Sequence, residues 1–336
     1  MNKTLAIIIL LLVGICLAGC SPVSQQAKSD QARLMDPNVP TDQLQALVDG
    51  NNAFALDLYQ SLRASPDNLF YSPFSISLAL GMTYGGARGV TEAQMADVLH
   101  FDLSQAKLHP AFNQLDLALA QGAEPEDEDQ QPMRLSLANA IWGQDGYPFL
   151  PEYLDLLALN YGAGLNLADF TTQAEPTRLE INQWVSDQTE ERIKDLLAPG
   201  MIDASTRLVL VNAIYFKADW QDQFDANNTH KAPFYLLDGT DVQVEMMSDT
   251  QVLPYLRREN YQAVELPYAG GTAAMDIFLP DEGAFAAFEA ALDWPALQGI
   301  LASLQPVEMH LFMPKFTFSR DFELAQTLAG MGMPDA

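Results

Sequence analysis

Residues 208–216, Leu-Val-Leu-Val-Asn-Ala-Ile-Tyr-Phe, restrict the fold of this chain more than any other stretch. Apart from Asn212 every residue is apolar, and several are β-branched or aromatic. A short run with no polar face to give to water reads as a strand covered on both sides, at the centre of a sheet. Asn212 interrupts it, and a buried amide costs free energy unless it is hydrogen-bonded. Two roles are open to that amide: a satisfied core group that fixes register, or a polar lock at a place where strands must separate.

Around this strand the apolar spacing changes along the chain. Phe54, Ala55, Leu58 and Leu62 recur at helical spacing. Ser72-Pro73 places a capping hydroxyl before a proline suited to a first helical turn, followed by Ile76, Ala79 and Leu80. Gly85-Gly86 should end that helix, and Thr91 with Gln94 predicts a capping box opening the next, which carries Met95, Val98 and Leu99. Ile181, Trp184 and Val185 predict an amphipathic helix continuing through Ile193, Leu196 and Leu197. Short strand-like runs follow at residues 242–246, 263–266 and 275–279. Residues 284–304 read as helical, and residues 308–318 return to strand, with Pro314 implying an edge or an irregularity. Helices first and strands later, without regular βαβ alternation, predict an α+β fold.

The N-terminus has a different composition. Lys3 gives a basic start, residues 5–17 are almost wholly apolar, and Leu17-Ala18-Gly19-Cys20 closes the segment. The run is too short to span a bilayer comfortably and ends on small residues, as an export signal does. Its last four residues resemble the bacterial lipobox, in which the cysteine (here Cys20) is diacylated and becomes the mature N-terminus. Residues 1–19 are therefore expected to be a signal peptide, residues 20–40 a flexible polar tether, and residues 41–336 the globular domain. Cys16 and Cys20 are the only cysteines, so the mature chain has no disulfide, cysteine nucleophile or cysteine-based metal site.

Charge and motifs narrow the function. The formal net charge is −27, from 17 Lys+Arg against 44 Asp+Glu, a surface that repels phosphate backbones and excludes nucleic acid as a partner. The acidic run at residues 124–132 has neither the oxygen spacing nor the turn glycine of a calcium loop and reads as a solvated loop. His100, His109, His230 and His310 lie in no metalloprotease or hydrolase motif, and each reads as structural. Gly162-Ala163-Gly164 and Gly270-Gly271 read as turns. No catalytic constellation, metal site or cofactor follows from the sequence, so the chain is not expected to be an enzyme.

Read together, the segments resemble the serpin family of serine protease inhibitors. The matching residues are Asn68-Leu69-Phe70-Tyr71-Ser72-Pro73-Phe74-Ser75-Ile76, then Ala79-Leu80, Met82, Gly86-Ala87-Arg88-Gly89, Thr91 and Gln94-Met95. They continue in order through Leu137-Ala138-Asn139-Ala140-Ile141-Trp142, Ile181-Asn182-Gln183-Trp184-Val185 with Thr189, and residues 208–216 with Lys217 and Trp220. Val264-Glu265-Leu266-Pro267-Tyr268 and Met313-Pro314-Lys315-Phe316 complete the series. The resemblance implies the serpin fold, a large mixed β-sheet with surrounding helices plus smaller sheets. It also implies a mechanism: a protease cleaves an exposed loop near the C-terminus, the loop inserts as a new strand into the metastable large sheet, and the acyl-enzyme is trapped. By the same resemblance Ser72, Ser75 and Asn212 fall on the shutter where the sheet opens, and Trp220 on its upper opening.

The implied partner is an extracytoplasmic serine protease, with a cysteine protease as the other class. The implied location is the cell envelope, through the lipid on Cys20, with secretion to the exterior as the alternative. The family pattern normally continues beyond Ala336 through a reactive loop and final core strands, so the expectation is an incomplete serpin domain whose reactive bond is not in the chain. Residues 1–336 alone are then expected to inhibit no protease and to fold poorly. A non-inhibitory serpin-fold surface binding protein is the second reading.

Overall fold

The computed structural model describes residues 26–27, 29–64, 68–121, 130–131, 133–318 and 324–336, excluding the side chains of residues 26, 136 and 138. The predicted signal peptide, Cys20 and most of the acidic run lie outside these residues. From the N-terminus the chain forms β1 (Gln26–Ala27), α1 (Thr41–Leu62), α2 (Pro73–Tyr84), α3 (Val90–Val98), α4 (Gln105–Gln121) and β2 (Arg134–Gln144). Next come α5 (Pro151–Tyr161), β3 (Leu165–Ala168), α6 (Phe170–Gln188) and β4 (Leu208–Lys217). The second half holds β5 (His230–Tyr235), β6 (Asp241–Arg257), β7 (Tyr261–Pro267), β8 (Ala274–Pro280), α7 (Phe285–Ala290), α8 (Trp294–Leu301), β9 (Gln305–Pro314) and α9 (Leu324–Met331). The α+β class predicted from the order of elements is the class observed.

The first sheet has the order β1-β3-β2-β4. β2 runs parallel to β3 and antiparallel to β4, from Arg134 opposite Lys217 to Gly143 opposite Leu208. Alternation along β4 sends successive side chains to opposite faces. Val211 and Ala213 pack with Ala140 and Trp142 of β2 against Phe170, Ile181 and Val185 of α6. Leu210 turns to the other face and joins the cluster of Met82, Ile141, Leu157 and Leu165, from α2, β2, α5 and β3. Both faces of the apolar run are covered, as its composition requires. Its place in the sheet is different from the expectation: among the described residues β4 pairs with β2 alone, so it is an outer strand, and its end residues Leu208 and Phe216 are exposed.

The second sheet takes the order β5-β6-β7-β8, with β9 also paired to β6. The long strand β6 pairs with β5 along its first residues, with β9 from Met246 to Tyr255, and with β7 near its end. Pro314 is the last residue of β9 rather than an interruption within it, because a proline can close a ladder without giving up a central bond. A helical layer lies beyond the first sheet. Phe54 and Leu58 of α1 pack with Leu99, Phe101 and Phe112 from the α3–α4 region, and Leu328 of α9 closes the cluster. Gly50 of α1 passes directly against the carbonyl of His100: a β-carbon there would lie 2.3 Å from that oxygen. Gly50→Ala is expected to cost about 1–3 kcal/mol, since neither backbone can yield without repacking. A lowered midpoint in urea denaturation would show it.

Three local expectations are corrected. Thr91 and Gln94 form no capping box. Gly89, at φ +65°, is the residue before α3, and both side chains instead hold the backbone and carboxylate of Asp335. The helix with Ile181 and Val185 stops at Gln188 because Glu190 and Glu191 adopt positive φ, although Ile193 and Leu197 still pack on its cluster. Residues 284–304 make two short helices, since Asp293 caps a new start before Pro295. The described part of the stretch read as a tether is seated on the domain: Ala27 pairs with Leu165 of β3, the Ser29 hydroxyl donates to Asp155, and Leu34 N donates to Leu159 O at 2.9 Å. Polar composition alone favours solvation there, and specific partners across the chain override it.

Candidate functional site

The site is built on the first turn of α2. Ser72 is its N-cap, with extended backbone, and its Oγ accepts from Ser75 N at 3.3 Å while Pro73 occupies the first helical position. This satisfies one of the amides that a helix start leaves unpaired. The cap fixes where Ser75 points. Its side chain is fully buried and faces the first sheet, where Asn212 lies midway along β4.

The Asn212 amide is the hub. Its Nδ2 donates to Ser75 Oγ at 2.5 Å and Ser75 O at 3.1 Å, and also to Asn139 Oδ1. Asn139 stands directly opposite Asn212 in the β2–β4 register. The two hydrogens of one amide are thus shared among three acceptors, from a helix and from the neighbouring strand. Sequence reasoning left two roles open for Asn212. The geometry shows a hydrogen-bonded amide that also joins three elements: parting β4 from β2 breaks its bond to Asn139, and lifting β4 from α2 breaks its bonds to Ser75. Every group in this cluster is neutral, and its strength does not depend on ordinary changes of pH.

Trp220 stands apart from the other three predicted positions. It follows the end of β4, bridges to Tyr268, and stacks on that ring at 4.6 Å with an 11° interplanar angle. Its carbonyl accepts from Gln130 Nε2 at 3.1 Å, and its indole packs beside Leu253, Val264, Leu266 and Met313 of the second sheet. Phe216, on β4, meets Tyr268 edge-on at 5.2 Å. Trp220 therefore pins the end of β4 to the second sheet, while Ser72, Ser75 and Asn212 pin its middle. Cys20 lies outside the described residues. Asn139 was missed as a site residue; its sign in the sequence was a polar residue inside the apolar run 137–142, matching Asn212 inside its own run. Among the described residues no group of three or more His, Cys, Asp or Glu side chains is placed to hold a metal ion.

Comparison with known proteins decides the family. The family model described as "Serpin (serine protease inhibitor)" matches residues 49–336. The chain belongs to the serpin family. This serpin is 38% identical to the leukocyte elastase inhibitor of Xenopus laevis over 291 residues, which cover 84% of this chain and 75% of that protein. An uncharacterized serpin-like protein of Thermococcus kodakarensis is 37% identical over 290 residues, covering 86% of this serpin and 66% of that protein. Among solved structures, ovalbumin from the emu superposes with a TM-score of 0.79 at 30% identity, covering 86% of this chain and 78% of that one. The serpin fold, expected from the order of motifs, is the fold observed.

Proposed function

We propose that this serpin inhibits an extracytoplasmic serine protease by loop cleavage and strand insertion beside β4, as part of a lipoprotein anchored through Cys20. The observation that carries the reading is the Asn212 cluster: a neutral, partly buried set of hydrogen bonds that ties β4 to β2 and α2 at the positions that the family resemblance assigns to the shutter. Nonpolar packing alone would resist parting in proportion to its whole area. A few directional bonds can break together and re-form around a new strand. The elastase inhibition in the name of the Xenopus relative supports a serine protease as partner, and a cysteine protease is the other class the family resemblance allows. No helix among the described residues is long and apolar enough to cross a membrane, so the proposed membrane link is the diacylated cysteine, for which two acyl chains suffice.

The product of the whole reading frame is expected to form an SDS-resistant 1:1 complex with at least one protease in a panel of trypsin-, chymotrypsin- and elastase-like enzymes. Cleavage of the serpin without a trapped complex would contradict the inhibitory reading and favour the surface binding role. In the same preparation Cys20→Ala is expected to move the protein from the membrane fraction to the soluble one, with loss of the acylated N-terminal peptide by mass spectrometry. Unchanged fractionation would refute the anchor.

A further inference from the structure

The segment seated between α4 and α5 is held by more than surface contact. Arg33 Nε donates to Asn113 Oδ1 at 2.8 Å, and its Nη2 reaches Asp116 Oδ2 at 2.5 Å. Asn113 is fully buried. Its Nδ2 donates to the carbonyls of Leu34 at 2.7 Å and Leu159 at 3.4 Å, so one amide reads both the guanidinium and the backbone of the segment. Leu34 N returns a bond to Leu159 O at 2.9 Å. Gly162, at φ +60°, ends α5 beside the arginine stem, and a β-carbon there would stand 2.8 Å from Arg33 Cδ. Upstream, Gln26 and Ala27 add to the free side of β3 as an antiparallel pair.

We propose that this groove is a receptor for an extended, arginine-bearing peptide, filled in cis by residues 26–27 and 29–39, whose seating holds α5 and β3 at the edge of the first sheet opposite β4. A planar guanidinium matches an amide oxygen and a carboxylate together, which an ammonium does not. In a chain of net charge −27 a guanidinium is also favoured over a neutral or acidic side chain at this site. Covalent attachment gives the strap a high effective concentration, so it occupies the groove unless its key contact is lost. Strand addition at β3 then extends the ladder that runs through β2 to β4.

The test is hydrogen exchange on the full chain with Arg33→Ala and, separately, Asp116→Asn. Arg33→Ala is expected to reduce protection at least tenfold at the amides of Leu34 and Val39 and across residues 151–168, leaving residues 261–267 and 324–331 unchanged. A synthetic peptide of residues 26–40, added in excess to the Arg33→Ala protein, is expected to restore protection in residues 151–168; the same peptide carrying Arg33→Ala is not. Asp116→Asn, which keeps the shape and removes the charge, is expected to give a smaller loss at the same amides. Unchanged protection in both variants overturns the proposal. Equal rescue by the two peptides, or loss of protection throughout the molecule in both variants, overturns it as well.

Discussion

Asn212→Ala is expected to lower the unfolding free energy by about 2–4 kcal/mol, among the largest effects of any polar substitution in this serpin. The substitution removes one donor and strands two acceptors, Ser75 Oγ and Asn139 Oδ1, in surroundings where Ser75 is fully buried. The cost is mainly the unmet desolvation of those partners rather than the bonds themselves. A shifted urea midpoint with unchanged slope would register it. The pairing with Ser75 can be isolated by a double-mutant cycle, with an expected coupling of about 0.5–3 kcal/mol. A loss below about 0.5 kcal/mol would mean that water or rearrangement replaces the amide freely, and that no lock exists.

The second large effect is a loss of stability in acid traceable to His109. Its ring is 2% exposed, and its Nδ1 lies 2.7 Å from the hydroxyl of the half-buried Tyr161. Its Nε2 has no hydrogen-bond partner among the described residues. Burial pushes its pKa down to about 4, and the positive charge of Arg88 adds to the shift. Below the unfolded-state value, near 6.5, the unfolded chain takes up a proton that the folded chain refuses. The folded state is therefore at full advantage above about pH 6.5 and loses stability as pH falls toward about 4. Between those two values the folded state loses about 3 kcal/mol relative to the unfolded one. The many surface carboxylates also titrate in this range, so the informative quantity is a difference. Plotted against pH, the stability of the wild type minus that of His109→Leu should fall across pH 6.5–4 and be flat above pH 7. A flat difference throughout would show that the ring protonates in place without penalty.

Those two residues illustrate what the sequence shows and what it hides. Asn212 was legible because a lone amide in an apolar run is conspicuous, and Ser72 because a capping hydroxyl before proline is local chemistry. The helix starting at Pro73 and the strand at residues 208–217 follow from the same short-range rules. Asn139 acquires its role only from the β2–β4 register, which no local pattern specifies. The outer position of β4 is likewise a matter of pairing partners, whereas its apolar run records only that both faces are covered. Thr91 and Gln94 have the right residues for a capping box, yet Asp335, more than 240 residues away, competes for them and wins. Arg33 sits in a polar stretch that composition assigns to solvent, and its partners Asn113 and Asp116 are about 80 residues distant. Local signals carried the elements, and long-range polar pairs carried the site and the strap.

In the proposed mechanism the sheet parts at the Asn212 cluster and accepts a new strand beside β4. Its most direct measurement is the thermal denaturation midpoint of the whole reading-frame product before and after a protease nicks its reactive loop. The nicked protein is expected to melt at a higher temperature than the intact one, with the amides of residues 208–217 newly protected from hydrogen exchange. A midpoint that stays the same or falls after nicking, with those amides no better protected, would contradict it.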